Sequence, residues 1–163
     1  MLTAVIAAED DPTELAETLS PLVTAAVDGL VRRVHIITPA KPNGAMSALI
    51  DSSGADHHVV ANDPLFRWRS LVDVGPKGWR LCLVAGMVPT SDWAEHVARH
   101  IAISGVGAAT FRLTANVSVR LAAEASRFVG RIYPPAGLLL ENAEMFNGRR
   151  VTKLRARLND RRR

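Results

Sequence analysis

The sequence has very little cysteine and no long apolar segment. Its one cysteine, Cys82, cannot form an internal disulfide bond, which favours a reducing compartment. No apolar stretch approaches the roughly 18 to 20 residues of a transmembrane helix. The apolar residues 2–8 follow no basic segment and lead into an acidic one, unlike a signal peptide. These absences predict a cytoplasmic protein, at most peripheral at the inner membrane face.

Acidic residues are also scarce at the C-terminal end. Segment 149–163 contains eight of the 20 basic residues and one of the 16 acidic residues, giving it a net charge of +7, while residues 1–148 carry −3. The pI of about 10.0 therefore describes this segment and not the remainder of the chain. With 48% hydrophobic and 22% charged residues, the composition is that of a soluble globular domain. We predict one domain at 1–148 and a basic tail at 149–163.

Short apolar segments alternate with segments of helical periodicity in the first part of the chain. Strands are predicted at 2–8, 34–38, 56–61 and 81–88. Helices are predicted between them, at about 12–29, 46–54 and 63–72, and another follows at 91–103. Asp11 is the expected N-cap of the first helix, and Pro21 is expected to kink or restart it. The alternation predicts a three-layer α/β fold with a mostly parallel sheet flanked by helices.

The remaining part of the domain is less regular. We predict strands at 110–115 and 138–140, a long helix at 118–132 and a short helix at 141–146. On the predicted helix at 91–103, His96 and His100 lie four residues apart, but no third metal ligand has recognisable spacing. These two histidines are therefore expected on a solvated face. His57 and His58 are adjacent in a strand and should point to opposite faces of the sheet.

The order of these elements resembles the family 2 glycosyltransferases, whose GT-A fold binds nucleotide sugars. Residues 2–10 resemble the first strand and its acidic loop, 15–34 the helix that follows, 79–86 with Trp93 the central strand, and 133–140 the acceptor-side loop and strand. The resemblance extends over about residues 1–147. It implies a GT-A-like fold and a nucleotide sugar as partner.

Several residues depart from the pattern of this family. Thr38 stands where the family has an aspartate that contacts the nucleotide base, and Asn43 where a second aspartate follows. Residues 84–86, Val-Ala-Gly, replace the aspartate motif that holds a divalent cation on the diphosphate. No counterpart of the catalytic acidic pair follows Phe146. The resemblance is therefore to a degenerate member without a metal site, a cofactor or a recognisable catalytic residue.

The predicted nucleotide site consists of residues that follow the first two strands. Its members are Glu9, Thr38, Asn43 and Gly44. Glu9 has a second interpretation, in which it belongs to an acidic turn that complements the positive end of the next helix. The predicted function is at most nucleotide or sugar binding. The alternative is a metal-independent glycosyltransferase in which Lys41 or a nearby arginine neutralises the diphosphate and Glu9 or Glu141 is the base.

The basic tail has an amphipathic pattern of its own. Val151, Leu154 and Leu158 share one helical face, and basic residues cover the rest: Arg149, Arg150, Lys153, Arg155 and Arg157. Such a segment suits an anionic membrane surface or an acidic protein. Nucleic acid is disfavoured because the tail has no aromatic residue to stack on bases. The alternative is a frayed terminus that only aids solubility.

Overall fold

The computed structural model describes residues 2–60, 78–104, 107–114, 137–141 and 151–161. Two of the predicted helices, at 63–72 and 118–132, lie outside these ranges, as does the short helix at 141–146 apart from Glu141. Arg149 and Arg150 of the tail also lie outside them.

The described residues form eight strands and three helices. The strands are β1 (Leu2–Ala7), β2 (Val31–Thr38), β3 (Asp56–Val59), β4 (Trp79–Val84), β5 (Met87–Pro89), β6 (Ala109–Thr114), β7 (Leu138–Leu140) and β8 (Thr152–Asp160). The helices are α1 (Pro12–Val27), α2 (Gly44–Ser53) and α3 (Trp93–Ser104). None of these helices is long and apolar enough to cross a membrane.

All eight strands belong to one sheet, in the order β3-β2-β1-β4-β7-β6-β8-β5. Strands β3, β2, β1 and β4 are parallel neighbours. Strand β7 is antiparallel to both β4 and β6, and β8 runs parallel to β6 and antiparallel to β5. The predicted α/β architecture, a sheet flanked by helices, is confirmed. Four of the seven described strand pairings are parallel, so the sheet is mixed.

Helix α1 begins where its capping residue predicts. The Asp11 carboxylate accepts hydrogen bonds from the backbone N–H groups of Thr13 at 2.8 Å and Glu14 at 3.3 Å. The helix then continues through Pro21 without a restart. Buried leucines on one side, among them Leu15 and Leu22, pack against the sheet and offset the hydrogen bond that proline cannot donate.

Within the parallel part of the sheet, strands β1 and β4 are buried on both faces. On the face that α1 and α2 cover, Ala4 and Ile6 of β1 join the main core cluster. On the opposite face, Val5 and Ala7 pack with Ile37 in a second cluster. This burial explains why β1 is an uninterrupted apolar segment.

Two elements differ from the sequence predictions. The single strand predicted at 81–88 is two strands, because a turn at Ala85 and Gly86 separates β4 from β5. The prediction of a helical pattern in the tail is wrong, because residues 152–160 form strand β8 within the sheet. Leu154 and Leu158 fit a helical period as well as a strand period, but the buried Ala156 between them completes the two-residue alternation of a strand.

Candidate functional site

The carboxyl ends of four parallel strands lie at one edge of the sheet. The chain leaves β1 toward β2 and β3 on one side and returns to β4 on the other side of β1. Between β1 and β4 the strand order therefore reverses, and ligands of open α/β sheets bind at such a point, outside the carboxyl ends of the strands. We call the residues that follow β1, β2 and β4 here the carboxyl edge.

The segment after β1 contributes acidic side chains to the carboxyl edge. Ala8 is still part of the sheet, since its N–H donates to the Ile37 carbonyl at 2.9 Å. Glu9 and Asp10 follow it and are both exposed. Asp11 is occupied as the cap of α1. The predicted residue Glu9 therefore lies at this edge with its side chain exposed.

The segment after β2 is shaped by Thr38, which is buried. Its hydroxyl donates to the Ala40 carbonyl at 2.6 Å and lies 2.8 Å from Nε2 of His57. Because the hydroxyl hydrogen is used on Ala40, Nε2 of His57 must carry the proton of the second hydrogen bond. Burial lowers the pKa of His57, so the ring is neutral at pH 7. Through these two hydrogen bonds, the buried Thr38 fixes the conformation of the loop that follows β2.

Asn43 and Gly44 stand at the start of α2 and are both exposed. Asn43 is the N-cap residue, but its side chain makes no capping hydrogen bond. Its backbone carbonyl accepts from the N–H groups of Met46 at 3.1 Å and Ser47 at 3.3 Å. The Asn43 amide is thus not used by the helix that it begins. Lys41, two residues earlier, is also exposed.

The segment after β4 is the turn Val84-Ala85-Gly86, which is fixed by backbone hydrogen bonds. The Ala85 N–H donates to the Ala7 carbonyl at 2.9 Å. The Gly86 N–H lies 3.0 Å from both the Glu14 carbonyl and the Thr18 hydroxyl of α1. Gly86 has a φ of 82°, which side chains rarely adopt, so the turn requires glycine.

The C-terminal end of β8 closes the same turn. The Arg161 N–H donates to the Gly86 carbonyl at 2.8 Å, and the Arg161 guanidinium lies 3.9 Å from the Glu17 carboxylate of α1. The turn after β4 is therefore enclosed by α1 and by the residue that follows β8. The sequence contains no carboxylate between Asp73 and Asp92, so this turn has no acidic side chain.

Glu141, a candidate base in the sequence, lies at the other end of β4. It follows Leu140, which pairs with Arg80 near the start of β4, whereas Ala7 pairs with Val84 at its end. Along β4 these positions are about 13 Å apart, at roughly 3.3 Å per residue. The structure therefore does not bring Glu141 together with Glu9.

The adjacent histidines of β3 contact opposite faces of the sheet, as predicted. Nε2 of His58 lies 3.1 Å from Nδ1 of the buried His35 on one face, while His57 reaches Thr38 on the other. Burial is the largest cause of a lowered His35 pKa, and it outweighs the opposing effect of Asp56. The sequence did not reveal these pairs, because they depend on the register of β2 against β3.

The histidines of α3 are not both on a solvated face. His96 lies 3.3 Å from the Asp92 carboxylate, four residues earlier. His100 is buried, and its ring contacts that of Trp79 edge-on at 5.5 Å, so the prediction of a solvated position is wrong for His100. Among the described ranges, no three His, Cys, Asp or Glu side chains are grouped so that they could hold a metal ion.

Two further sequence features lie away from the carboxyl edge. Burial raises the pKa of the Cys82 thiol to about 12, so this cysteine is an unreactive core residue. Of the predicted tail residues, Lys153, Arg155 and Arg157 lie on the exposed face of β8.

The fold is similar to those of solved glycosyltransferase structures. Glucosyl-3-phosphoglycerate synthase from Mycobacterium tuberculosis, in complex with Mn²⁺ and UDP-glucose, superimposes with a TM-score of 0.62 at 13% identity. The match covers 88% of this chain and 56% of the synthase. TarS residues 1–349 from S. aureus match with a TM-score of 0.54 at 11% identity, covering 70% of this chain and 36% of TarS.

These neighbours have the GT-A fold, and the chain shares it. It spans little more than half the length of the synthase. No protein-family model matches the sequence, and no curated protein is significantly similar to it.

Proposed function

We propose that this chain binds a nucleotide sugar at its carboxyl edge and has lost the metal-dependent transfer reaction. The GT-A-like fold supports the class of ligand, since the M. tuberculosis synthase with this fold was solved with UDP-glucose. The proposal that no divalent cation takes part in binding rests on the turn Val84-Ala85-Gly86. This turn occupies the position after the central strand β4, beside the end of β1.

The chemistry of the turn does not fit a divalent cation. Mg²⁺ and Mn²⁺ bind oxygen ligands, usually one or two carboxylates besides the substrate phosphates. Val84, Ala85 and Gly86 have no side-chain oxygen, and the Gly86 carbonyl already accepts from Arg161. Helix α1 lies against the other side of the turn. A cation bridging this turn and a diphosphate would therefore receive no carboxylate ligand from the turn itself.

The exposed residues after β1 and β2 supply groups that suit a nucleotide. The Asn43 amide, which its helix does not use, can donate and accept hydrogen bonds with a base, and the Glu9 carboxylate can accept from ribose hydroxyls. Lys41 offers a positive charge for the diphosphate in place of a metal. Thr38 and His57 stabilise the loop that carries Lys41 and Asn43.

Ligand-induced thermal stabilisation tests this function. The full chain is heated with UDP-glucose or UDP, each with Mn²⁺ or with a chelator. We expect UDP-glucose to raise Tm equally with and without Mn²⁺, by an amount equivalent to about 2.7 kcal/mol at a hundredfold excess over Kd. Absence of any shift would contradict nucleotide-sugar binding, and a shift that requires Mn²⁺ would contradict the loss of the metal site.

Matched variants locate the binding site. Lys41→Gln and Asn43→Ala should each reduce the shift, because they remove the proposed contacts. Arg99→Gln removes the same charge as Lys41→Gln from the exposed surface of α3 and should leave the shift unchanged. Val84→Asp places a carboxylate on the half-exposed last residue of β4 and should make binding respond to Mn²⁺.

A further inference from the structure

One face of β8 presents basic side chains at every second residue. Lys153, Arg155 and Arg157 are exposed, while the alternate residues Leu154 and Ala156 are buried. Successive exposed residues of a strand are about 6.6 to 6.8 Å apart. The pairing of β8 with β6 shifts register between Lys153 and Arg157, so the face is an uneven row of positive charge that is fixed to the core through its other side.

A fourth basic residue extends this row onto the neighbouring strand. Arg112 of β6 is exposed and is the register partner of Arg157 in the parallel pairing of β6 with β8. Paired strands lie about 4.8 Å apart, so the side chains of Arg112 and Arg157 extend from adjacent backbone positions. Like charges in such positions repel each other. We call Arg112, Lys153, Arg155 and Arg157 the basic face.

The arginines of the basic face differ from other exposed arginines. Arg33 lies 4.0 Å from the Asp56 carboxylate, and Arg99 is paired with Glu95. Within the described ranges, no carboxylate lies within ion-pair distance of Arg112, Arg155 or Arg157. The repulsion between Arg112 and Arg157 lowers the stability of the fold. An anionic partner bound to these arginines would remove that loss.

We propose that the basic face docks the protein on an anionic lipid surface, independently of nucleotide-sugar binding. Its cations project from one face of two neighbouring strands, which matches a plane of charged headgroups. The large hydrophobic residues exposed in the described ranges, Val23, Val27, Val59 and Ile103, all lie outside β6 and β8. Docking is therefore electrostatic, without insertion of apolar side chains.

The position of β8 in the sheet disfavours an acidic peptide as the partner. Peptides commonly bind by adding a strand to an exposed sheet edge. Among the described residues β5 pairs only with Leu158 to Asp160 of β8, and the basic side chains project from the face of the sheet, not from the edge at which an added strand would pair. Single-stranded nucleic acid is disfavoured because none of the four residues is aromatic and could stack on bases.

Vesicle sedimentation of the full chain tests the proposal. The probes are vesicles of phosphatidylcholine alone and of phosphatidylcholine with about one-third phosphatidylserine. The triple variant Lys153→Gln, Arg155→Gln, Arg157→Gln should bind the anionic vesicles about 100-fold more weakly, since each basic residue near such a surface contributes about a factor of five. The control Arg32→Gln, Arg33→Gln, Arg99→Gln removes the same charge elsewhere and should retain most of the binding.

A charge-conserving variant separates lipid attraction from a specific anion site. The triple variant Arg112→Lys, Arg155→Lys, Arg157→Lys loses the paired donors of guanidinium but keeps the positive charge. Because attraction to an anionic lipid surface depends on charge, this variant should sediment like the parent chain. Circular dichroism confirms that each variant is folded. Equal sedimentation of the parent chain and the glutamine variant would overturn the proposal. So would equal binding to neutral vesicles, or tighter binding to polyglutamate or oligo-dT than to anionic vesicles.

Discussion

Strands β1 and β8 lie in the same sheet but have opposite sequence patterns. All six residues of β1 are buried, with a hydrophobic core cluster on each face of the strand. In β8, buried residues alternate with exposed basic ones, so one of its faces meets solvent. A strand covered on both sides shows as an apolar segment in the sequence, whereas a half-covered strand shows only as alternation.

The same comparison separates the two surfaces that we assign to function. The proposed nucleotide-sugar site lies where β1, β2 and β4 end, on loops that a rigid parallel sheet positions. The basic face lies in the middle of β6 and β8 and needs no loop. One surface depends on the geometry of loops and the other on charge. The sheet has two parts, the parallel strands β1 to β4 and the strands β5 to β8. Substitutions that change the free energy of unfolding test how these two parts are joined and how much each contributes to stability.

The largest effect is expected at the junction of the two parts, at Gly137. Its N–H donates to the Cys82 carbonyl of β4 at 2.7 Å, and its carbonyl accepts from Phe111 of β6 at 3.1 Å. In Gly137→Ala the new Cβ would clash with Leu158 Cδ1 and lie 3.1 Å from Phe111 Cβ, at a φ of 81°. We expect a loss of about 4 kcal/mol, combining strain and overpacking.

Urea unfolding measures this loss. Gly29→Ala is the matched control, because Gly29 also has a positive φ, of 78°, but no atom lies within 4 Å of the position that its Cβ would take. The control should show the backbone strain alone, about 1 kcal/mol. Equal losses in the two variants would mean that the two parts of the sheet are not packed tightly at Gly137.

The next effect tests whether β8 is part of the core. Leu158 is fully buried, and Leu158→Ala should lower the free energy of unfolding by about 3 kcal/mol through lost burial and a cavity. Its neighbour Arg157 is exposed, and Arg157→Gln should change stability by less than about 0.5 kcal/mol. A frayed terminus would instead leave both variants as stable as the parent chain.

The sequence predicted β1 and the start of α1 well because their signals are local. An apolar segment followed by Asp11 and Pro12 leaves few alternatives. In β8, Leu154 and Leu158 are four residues apart and fit either a helix or a strand, so only pairing with β6 and β5 decides between them. The sequence analysis named Lys153, Arg155 and Arg157 as basic residues of a tail, but it did not place them on a strand beside Arg112.

The candidate site was predicted in part for the same reason. Glu9 and Asn43 follow predicted strands, and the fold places both at the carboxyl edge. The contacts that shape this edge join distant residues: Thr38 and His57 are 19 positions apart, and Thr18 and Gly86 are 68. Such contacts follow from strand register and helix packing, which no local pattern in the sequence specifies.

A smaller effect is expected where α1 supports the turn after β4. Thr18 is fully buried, and its hydroxyl donates to the Glu14 carbonyl and accepts from the Gly86 N–H. Thr18→Val keeps the shape of the side chain but removes these hydrogen bonds, which should cost about 1 kcal/mol because the Gly86 N–H keeps Glu14 as acceptor. Thr18→Ser retains the hydroxyl and should be less affected in urea unfolding. A loss of stability equal in the two variants would mean that the methyl group matters and the hydroxyl does not.

The smallest effect concerns the pH dependence of stability near His35 in the parallel part of the sheet. Burial lowers the pKa of His35 below its ordinary 6.5; Asp56 opposes this, while His58, Arg33 and Arg80 add to it. Below pH 6.5 the unfolded chain therefore binds a proton that folded His35 does not, so the free energy of unfolding falls as the pH falls from 6.5 toward the lowered value.

Replacing His35 should weaken that pH dependence. Tm measured between pH 8 and pH 5, about one and a half units either side of 6.5, should fall less in His35→Gln than in the parent chain. His96→Gln, on α3 and away from this cluster, is the matched substitution for the loss of a histidine side chain. If His35→Gln kept the full pH dependence of Tm, the acid sensitivity of the fold would come from other groups. The contact between His35 and His58 would then not couple protonation to the stability of the parallel strands.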